Sequence, residues 1–108
     1  MKRGEIHTFI GKGDFSGKPR PGLIVQSDLF NDYHLSVTVC PITSELTGGY
    51  LFRIMVQPDD ANGLEAVSEI EIDKVQSVKT DRIGRFVGIL AEDQMDVVDE
   101  ALRLWFDL

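Results

Sequence analysis

Cys40 is the chain's one cysteine, which excludes an internal disulfide and a zinc site built from several thiolates. Long apolar runs are also missing. The longest aliphatic stretch, Leu23 to Val25, falls far short of the roughly 20 residues a membrane helix needs. Behind Lys2-Arg3 there is no apolar segment of the kind that marks a secretory signal, so the cytoplasm is the expected compartment and a membrane is not an expected partner. Histidine is scarce. His7 and His34 have 26 residues between them, and nothing in that spacing sets up a two-histidine acid–base pair. An excess of positive charge is lacking too: the net charge is −7, which taken alone argues against a partner rich in phosphate.

The distribution of charge softens that exclusion. Residues 1–50 hold five Lys/Arg and five Asp/Glu, whereas residues 51–108 hold six against thirteen. Six of those acids (Glu92, Asp93, Asp96, Asp99, Glu100 and Asp107) fall in the last 17 residues. A neutral or basic working face with an acidic back is therefore compatible with the composition. With 43% apolar residues over 108 positions, the chain has enough for one core, and a single domain spanning 1–108 is expected.

Hydrophobic periodicity predicts mostly strands. Gly4 to Ile10, Leu23 to Val25, Ser36 to Cys40, Leu51 to Val56, Ala66 to Ile72, Val75 to Lys79 and Phe86 to Ile89 carry β-branched or alternating apolar residues. Ser27-Asp28 reads as the cap of one helical turn. Pro41, having no N–H, calls for an edge, a bulge or a strand end. The glycine-rich stretch 11–20 and the cluster Pro58 to Gly63 are loops. From Ala91 to Phe106 the period changes, and Met95, Val98, Leu102 and Trp105 fall at helical spacing. Glu92 and Asp93 suit the positive end of that helix's dipole, and Arg103 suits the other. Strands in a run with a late helix fit a mainly β fold with α: a compact SH3-like β-barrel carrying a C-terminal amphipathic helix. Glu69, Glu71 and Asp73 alternate along one strand face, an arrangement open to a hard cation but expected as a solvated sheet face. Cys40, in a β-branched strand, is expected as a buried thiol.

The segment Lys18-Pro19-Arg20-Pro21-Gly22-Leu23-Ile24-Val25-Gln26-Ser27-Asp28 resembles the MazF/PemK toxin family, in which a glycine-rich loop leads through an Arg-Pro step into an apolar strand. Lys2-Arg3-Gly4-Glu5-Ile6 is similar to the family's opening, and Val39-Cys40-Pro41-Ile42-Thr43-Ser44 to its second block. Asp73-Lys74-Val75 and Asp81-Arg82-Ile83-Gly84 match a subgroup. The resemblance covers nearly the whole chain. It implies a PemK/CcdB-like fold and the toxin of a type II toxin–antitoxin system. The implied activity is a sequence-specific, metal-independent endoribonuclease. It would use the 2′-hydroxyl of single-stranded RNA as nucleophile and leave 2′,3′-cyclic phosphate and 5′-hydroxyl ends. No cofactor is implied; a homodimer and a cognate antitoxin are. Carried across, the family's catalytic arginine falls on Arg20 and its threonine on Thr43. Asp14, Ser16, Lys18, Ser44 and Gln76 become RNA contacts, with Gln76-Ser77 standing at about the place where many members carry Arg-Thr.

The chemistry suits those residue types. Arginine stays charged and grips phosphate oxygens with two parallel bonds, the requirement for stabilising a phosphorane. Thr43 offers a hydroxyl donor, or else a strand-end turn of the kind threonine often makes. Loop N–H groups near Lys18 can meet phosphate as well. Two rivals share the fold: a CcdB-like poison of DNA gyrase, which would work through C-terminal residues such as Trp105, and a non-catalytic interaction module. A gyrase binder has no need of Arg20 and Thr43, and the module reading rests on Gln76-Ser77 and the acidic balance.

Overall fold

A computed structural model of the chain describes residues 1–11 and 17–108; Asp14 and Ser16 lie outside the described residues. In chain order the elements are β1 (Glu5–Phe9), β2 (Arg20–Ile24), α1 (Asp28–Asn31), β3 (Ser36–Thr43), β4 (Arg53–Val56), β5 (Ser68–Glu71), β6 (Gln76–Lys79), β7 (Ile83–Ile89) and α2 (Glu92–Phe106). Short 3-10 turns, Ile72–Lys74 and Thr80–Arg82, precede β6 and β7. The strands pair antiparallel in the order β4-β5-β3-β2-β1-β7, with β6 also on β3. β4 and β7 end that order as edges, so the expected barrel is open rather than closed.

β3 is the hinge of the topology, because β5 and β6 share one of its sides. β6 sets Ser36 opposite Lys79 and Val39 opposite Gln76. Continuing that register would bring Asp73 to Ile42, yet Ile42 faces Ile70. The offset is three residues, the length of the 3-10 turn Ile72–Lys74. Pro41 falls in the resulting gap, paired on the β2 side with Gly22 and on the other side with neither β5 nor β6. A residue without an N–H thus sits mid-strand, where the neighbouring ladder is interrupted.

Both faces of the sheet are covered. On one face Ile6, Leu23, Cys40, Ile42, Ile70 and Ile72 pack against Met95, Val98 and Ala101 of α2. On the other, Phe9, Ile24, Val37, Val39 and Val78 form a second cluster. Leu23 and Ile24 are both fully buried, which is why that segment reads as a continuous apolar run. Gly22 lies under the Phe9 ring, where a Cβ would stand 2.7 Å from a ring carbon. The helical stripe is only partly core: Met95, Val98 and Ala101 are buried, Leu102 packs at the margin, and Trp105 stays half-exposed beside Phe52, ring centroids 6.2 Å apart.

The acidic strand departs from expectation most. Glu69 and Glu71 are 2% and 3% exposed, not a solvated face. Arg53, opposite Glu71 in the register, places Nε 2.7 Å and Nη2 3.1 Å from the two Asp73 oxygens. Nη2 also lies 3.4 Å from Glu71, and Nη1 lies 3.6 Å from Glu69. Burial alone would raise the Glu69 carboxyl, but N–H bonds from Gly48 and Thr47 and the Thr47 hydroxyl outweigh it and hold it below the usual range. The loop carrying those donors covers the strand, so alternation along β5 no longer separates wet from dry.

Candidate active site

On the α2 side of the sheet, Ile6 of β1 and Leu23 of β2 pair in the core, and the next pair on that face is Thr8 with Pro21. There the hydrophobic filling stops and a cleft of about 590 Å³ opens. Its walls are the start of β2, the end of β3 with the following turn, the Gly63–Ala66 segment and β7.

The Gly63–Ala66 wall is set in place by the Pro58–Gly63 cluster. Buried Asn62 accepts from the Asp59 and Leu64 N–H groups through Oδ1 and donates to the Gln57 carbonyl. The Ala61 carbonyl takes the Ile89 N–H at 2.8 Å, tying the turn to β7. Gly63, at φ +68°, would drive a Cβ to within 2.1 Å of the Val87 carbonyl oxygen, so only glycine fits.

Of the residues singled out by sequence, Lys18, Arg20, Thr43 and Ser44 all line this one cleft. Arg20 opens β2 opposite Phe9 and lays its guanidinium over that ring, 6.0 Å from the centroid. The contact leaves its N–H fork without an ion pair among the described residues, ready for an oxyanion. Thr43 ends β3, and its Oγ1 accepts the Glu45 N–H at 3.1 Å. The hydroxyl's own hydrogen is then left to donate elsewhere. Gln76 is apart: it sits on β6 opposite Val39, donates to the Lys74 carbonyl at 3.2 Å, and does not line the cleft.

Thr8, Glu45, Glu65 and Arg85 also line the cleft, and sequence reasoning did not single them out. Glu45 follows the Thr43-Ser44 pair directly, so its neighbourhood was a usable signal. Arg85 and Glu65 had none, because a turn and a pairing irregularity bring them in.

The other titratable candidates lie elsewhere. His7 Nε2 is 2.8 Å from Glu5 Oε1, a bond that holds the Glu5 carboxyl below its ordinary range. His34 bonds locally to the Ser36 backbone. Cys40 is buried, and desolvation pushes its thiol up to about 12, which fits a packing residue rather than a nucleophile. Among the described residues no three His, Cys, Asp or Glu side chains group as metal ligands, and no helix is long and apolar enough to cross a membrane.

Comparison with known proteins gives the arrangement a context. The chain is 44% identical over 108 residues to a probable endoribonuclease MazF of Mycolicibacterium smegmatis, covering all of this chain and 98% of that one. It is 27% identical over 107 residues to endoribonuclease EndoA of Bacillus subtilis, covering 96% and 92%. Among solved structures, the Mycobacterium tuberculosis toxin MazF-mt6 superposes with a TM-score of 0.78 at 30% identity, over 94% of this chain and 97% of that one. A mycobacterial endoribonuclease solved with its cognate antitoxin superposes at 0.83 and 19% identity, over 100% and 96%, a likeness of fold. The family described as PemK-like, MazF-like toxin of type II toxin–antitoxin system matches residues 2–106. The chain belongs to that family.

Proposed function

We propose that the chain is a single-domain toxin that cleaves single-stranded RNA endonucleolytically in the cleft between β2, β3 and β7. The observation that carries this reading is the convergence of Arg20, Thr43, Ser44 and Lys18 on one opening, although Arg20 and Thr43 have 22 residues between them in sequence.

The reaction begins with the 2′-hydroxyl oxygen attacking the adjacent phosphorus. Its proton leaves to a base, the bond to the 5′-oxygen breaks, and that oxygen takes up a proton. The products are a 2′,3′-cyclic phosphate and a free 5′-hydroxyl. Negative charge accumulates on the non-bridging oxygens of the phosphorane. The Arg20 fork, preoriented over Phe9, meets that charge with two donors, and the Thr43 hydroxyl supplies a third. In this scheme arginine provides the positive charge that other nucleases take from a metal ion. Lys18 and Ser44 hold the strand.

A toxin of this kind works under restraint. The reading therefore includes a homodimer and a cognate antitoxin laid across the cleft as an extended peptide. Support comes from the mycobacterial neighbour solved with its antitoxin and from the half-exposed apolar group Leu51, Phe52, Leu104 and Trp105, which offers surface to a partner.

Purified protein incubated with mixed-sequence single-stranded RNA in EDTA tests the proposal. The expected result is discrete cuts with cyclic-phosphate ends, lost in folded Arg20→Ala and reduced at least tenfold in Thr43→Val. Intact RNA at every protein concentration would refute it, and toxicity without cleavage would turn attention to gyrase.

A further inference from the structure

Strand β7 is bulged where it passes the cleft. Against β1, Phe86 faces His7, but Phe9 faces Ile83, so Gly84 and Arg85 together oppose Thr8. Thr8 Oγ1 accepts the Arg85 N–H at 3.0 Å, closing the bulge. Gly84 is the residue that lets the hydroxyl in: a Cβ there would stand 2.3 Å from Thr8 Oγ1.

The bulge decides which way Arg85 points. Ile83 and Val87 are four residues apart and would share a face in a regular strand. Here Ile83 packs on the Phe9 cluster and Val87 on the Ile6 cluster, on opposite sides of the sheet. Unbulged from the Phe9–Ile83 pair, β7 would set Arg85 beside His7, away from the cleft. With the extra residue it lines the cleft together with Arg20.

Charge gives this orientation meaning. In a chain of net charge −7, Arg3, Arg53 and Arg103 are each paired with carboxylates. Arg85, like Arg20, has no ion pair among the described residues, even though Glu45 and Glu65 line the same cleft. β2 and β7 flank β1 on its two sides, which separates their backbones by about 10 Å. That span exceeds one phosphate group.

We propose that Arg85, turned into the cleft by the Gly84–Arg85 bulge, binds a second backbone phosphate of the RNA strand, next to the phosphate held by Arg20. The assignment rests on the ribonuclease reading and adds a binding residue to it. Arg85 positions the strand, while Arg20 meets the developing charge.

The test is binding of a fluorescent mixed-sequence single-stranded oligonucleotide with 2′-deoxy sugars, which lacks the attacking hydroxyl, measured over a range of salt. Arg85→Ala is expected to weaken binding about tenfold and to lower the slope of log K against log salt by about 0.7. Arg85→Lys should keep the slope but lose part of the affinity, and Thr8→Val should fall between. Arg82→Ala, an exposed arginine outside the cleft, is the control and should match wild type. In parallel cleavage assays Arg85→Ala should raise KM far more than it lowers kcat. Arg85→Ala and Arg85→Lys that melt with wild type and match Arg82→Ala in affinity and slope overturn the proposal. Wild-type protein that binds the oligonucleotide through Arg85 yet cuts no RNA would instead sink the ribonuclease reading and leave the phosphate site standing.

Discussion

Replacing Arg53 by methionine should be among the most damaging single changes outside the cleft. The side chain is 10% exposed and its guanidinium touches Asp73, Glu71 and Glu69 at 2.7 to 3.6 Å. Methionine keeps most of the volume and the contact with Phe52, so packing loss is small. What remains is two carboxylates almost without solvent and a third half-buried, with only Lys74, 3.3 Å from Glu71, left as counter-charge. Breaking a buried pair by removing one partner costs about 3–5 kcal/mol, against a total stability of about 5–15 kcal/mol for such a domain.

The pH dependence gives the effect a signature. Hydrogen bonds from Arg53 hold Asp73 below its ordinary pKa, and Glu69 is also depressed. In wild type these groups contribute stability above the unfolded carboxylate range, near 4, that is lost as pH falls through their lower folded values. In Arg53→Met, Asp73 loses the bonds that hold it down, while Glu69 keeps its donors from Thr47 and Gly48 but loses the nearby positive charge. The variant should therefore lie furthest below wild type at neutral pH and converge on it toward pH 4. Urea denaturation at pH 7, 5.5 and 4 measures the gap directly. A deficit under 1 kcal/mol at pH 7, or one unchanged at pH 4, would refute the reasoning. Glu71→Gln serves as contrast: Glu71 has an unpartnered Oε1 and only contacts of 3.3 and 3.4 Å, so its loss should cost less than half as much.

The C-terminal end of α2 closes on Asp107 in the left-handed region, φ 58° and ψ 46°. Asp107→Gly should raise stability by about 0.5–1 kcal/mol, read as a higher Tm, because glycine takes that conformation freely. Cys40 should resist a thiol reagent at pH 8 in the native protein and react stoichiometrically in urea; fast native labelling would contradict its burial. Gly22→Ala should destabilise by about 1–3 kcal/mol in thermal melts, since the added methyl meets the Phe9 ring wedged between strands; an unchanged Tm would show that the ring moves aside.

Local chemistry was legible in the sequence wherever it acts through neighbours in the chain. Ser27 caps α1 through its hydroxyl to the Leu29 N–H at 3.2 Å. The strands appear at the β-branched runs, and the helix at the change of period. The break near Asp73-Lys74 marks the 3-10 turn between β5 and β6. Long-range consequences were less legible. Period-2 alternation of Glu69, Glu71 and Asp73 looks identical whether that face meets water or a buried arginine from β4. The closing strand runs from Ile83 rather than from Phe86, because the pairing of Gly84 and Arg85 as a bulge breaks the alternation that marks a strand in sequence. Of the residues singled out by resemblance, Lys18, Arg20, Thr43 and Ser44 share the cleft and Gln76 does not, whereas Thr8 and Arg85 emerge only once β1 and β7 are paired.

The bulge in β7 has a consequence for how the chain tolerates change in length. Between Ile83 and Phe86 the extra residue exchanges the faces that odds and evens count, and a second shift between Phe86 and Gly88 exchanges them again. Removing Gly84 would be a frameshift in space: Ile83 would swap faces relative to Val87, with no change in side-chain identity. Substitutions along β7 can be judged one at a time, but a single-residue deletion between Ile83 and Phe86 turns over the face of the residue on its far side.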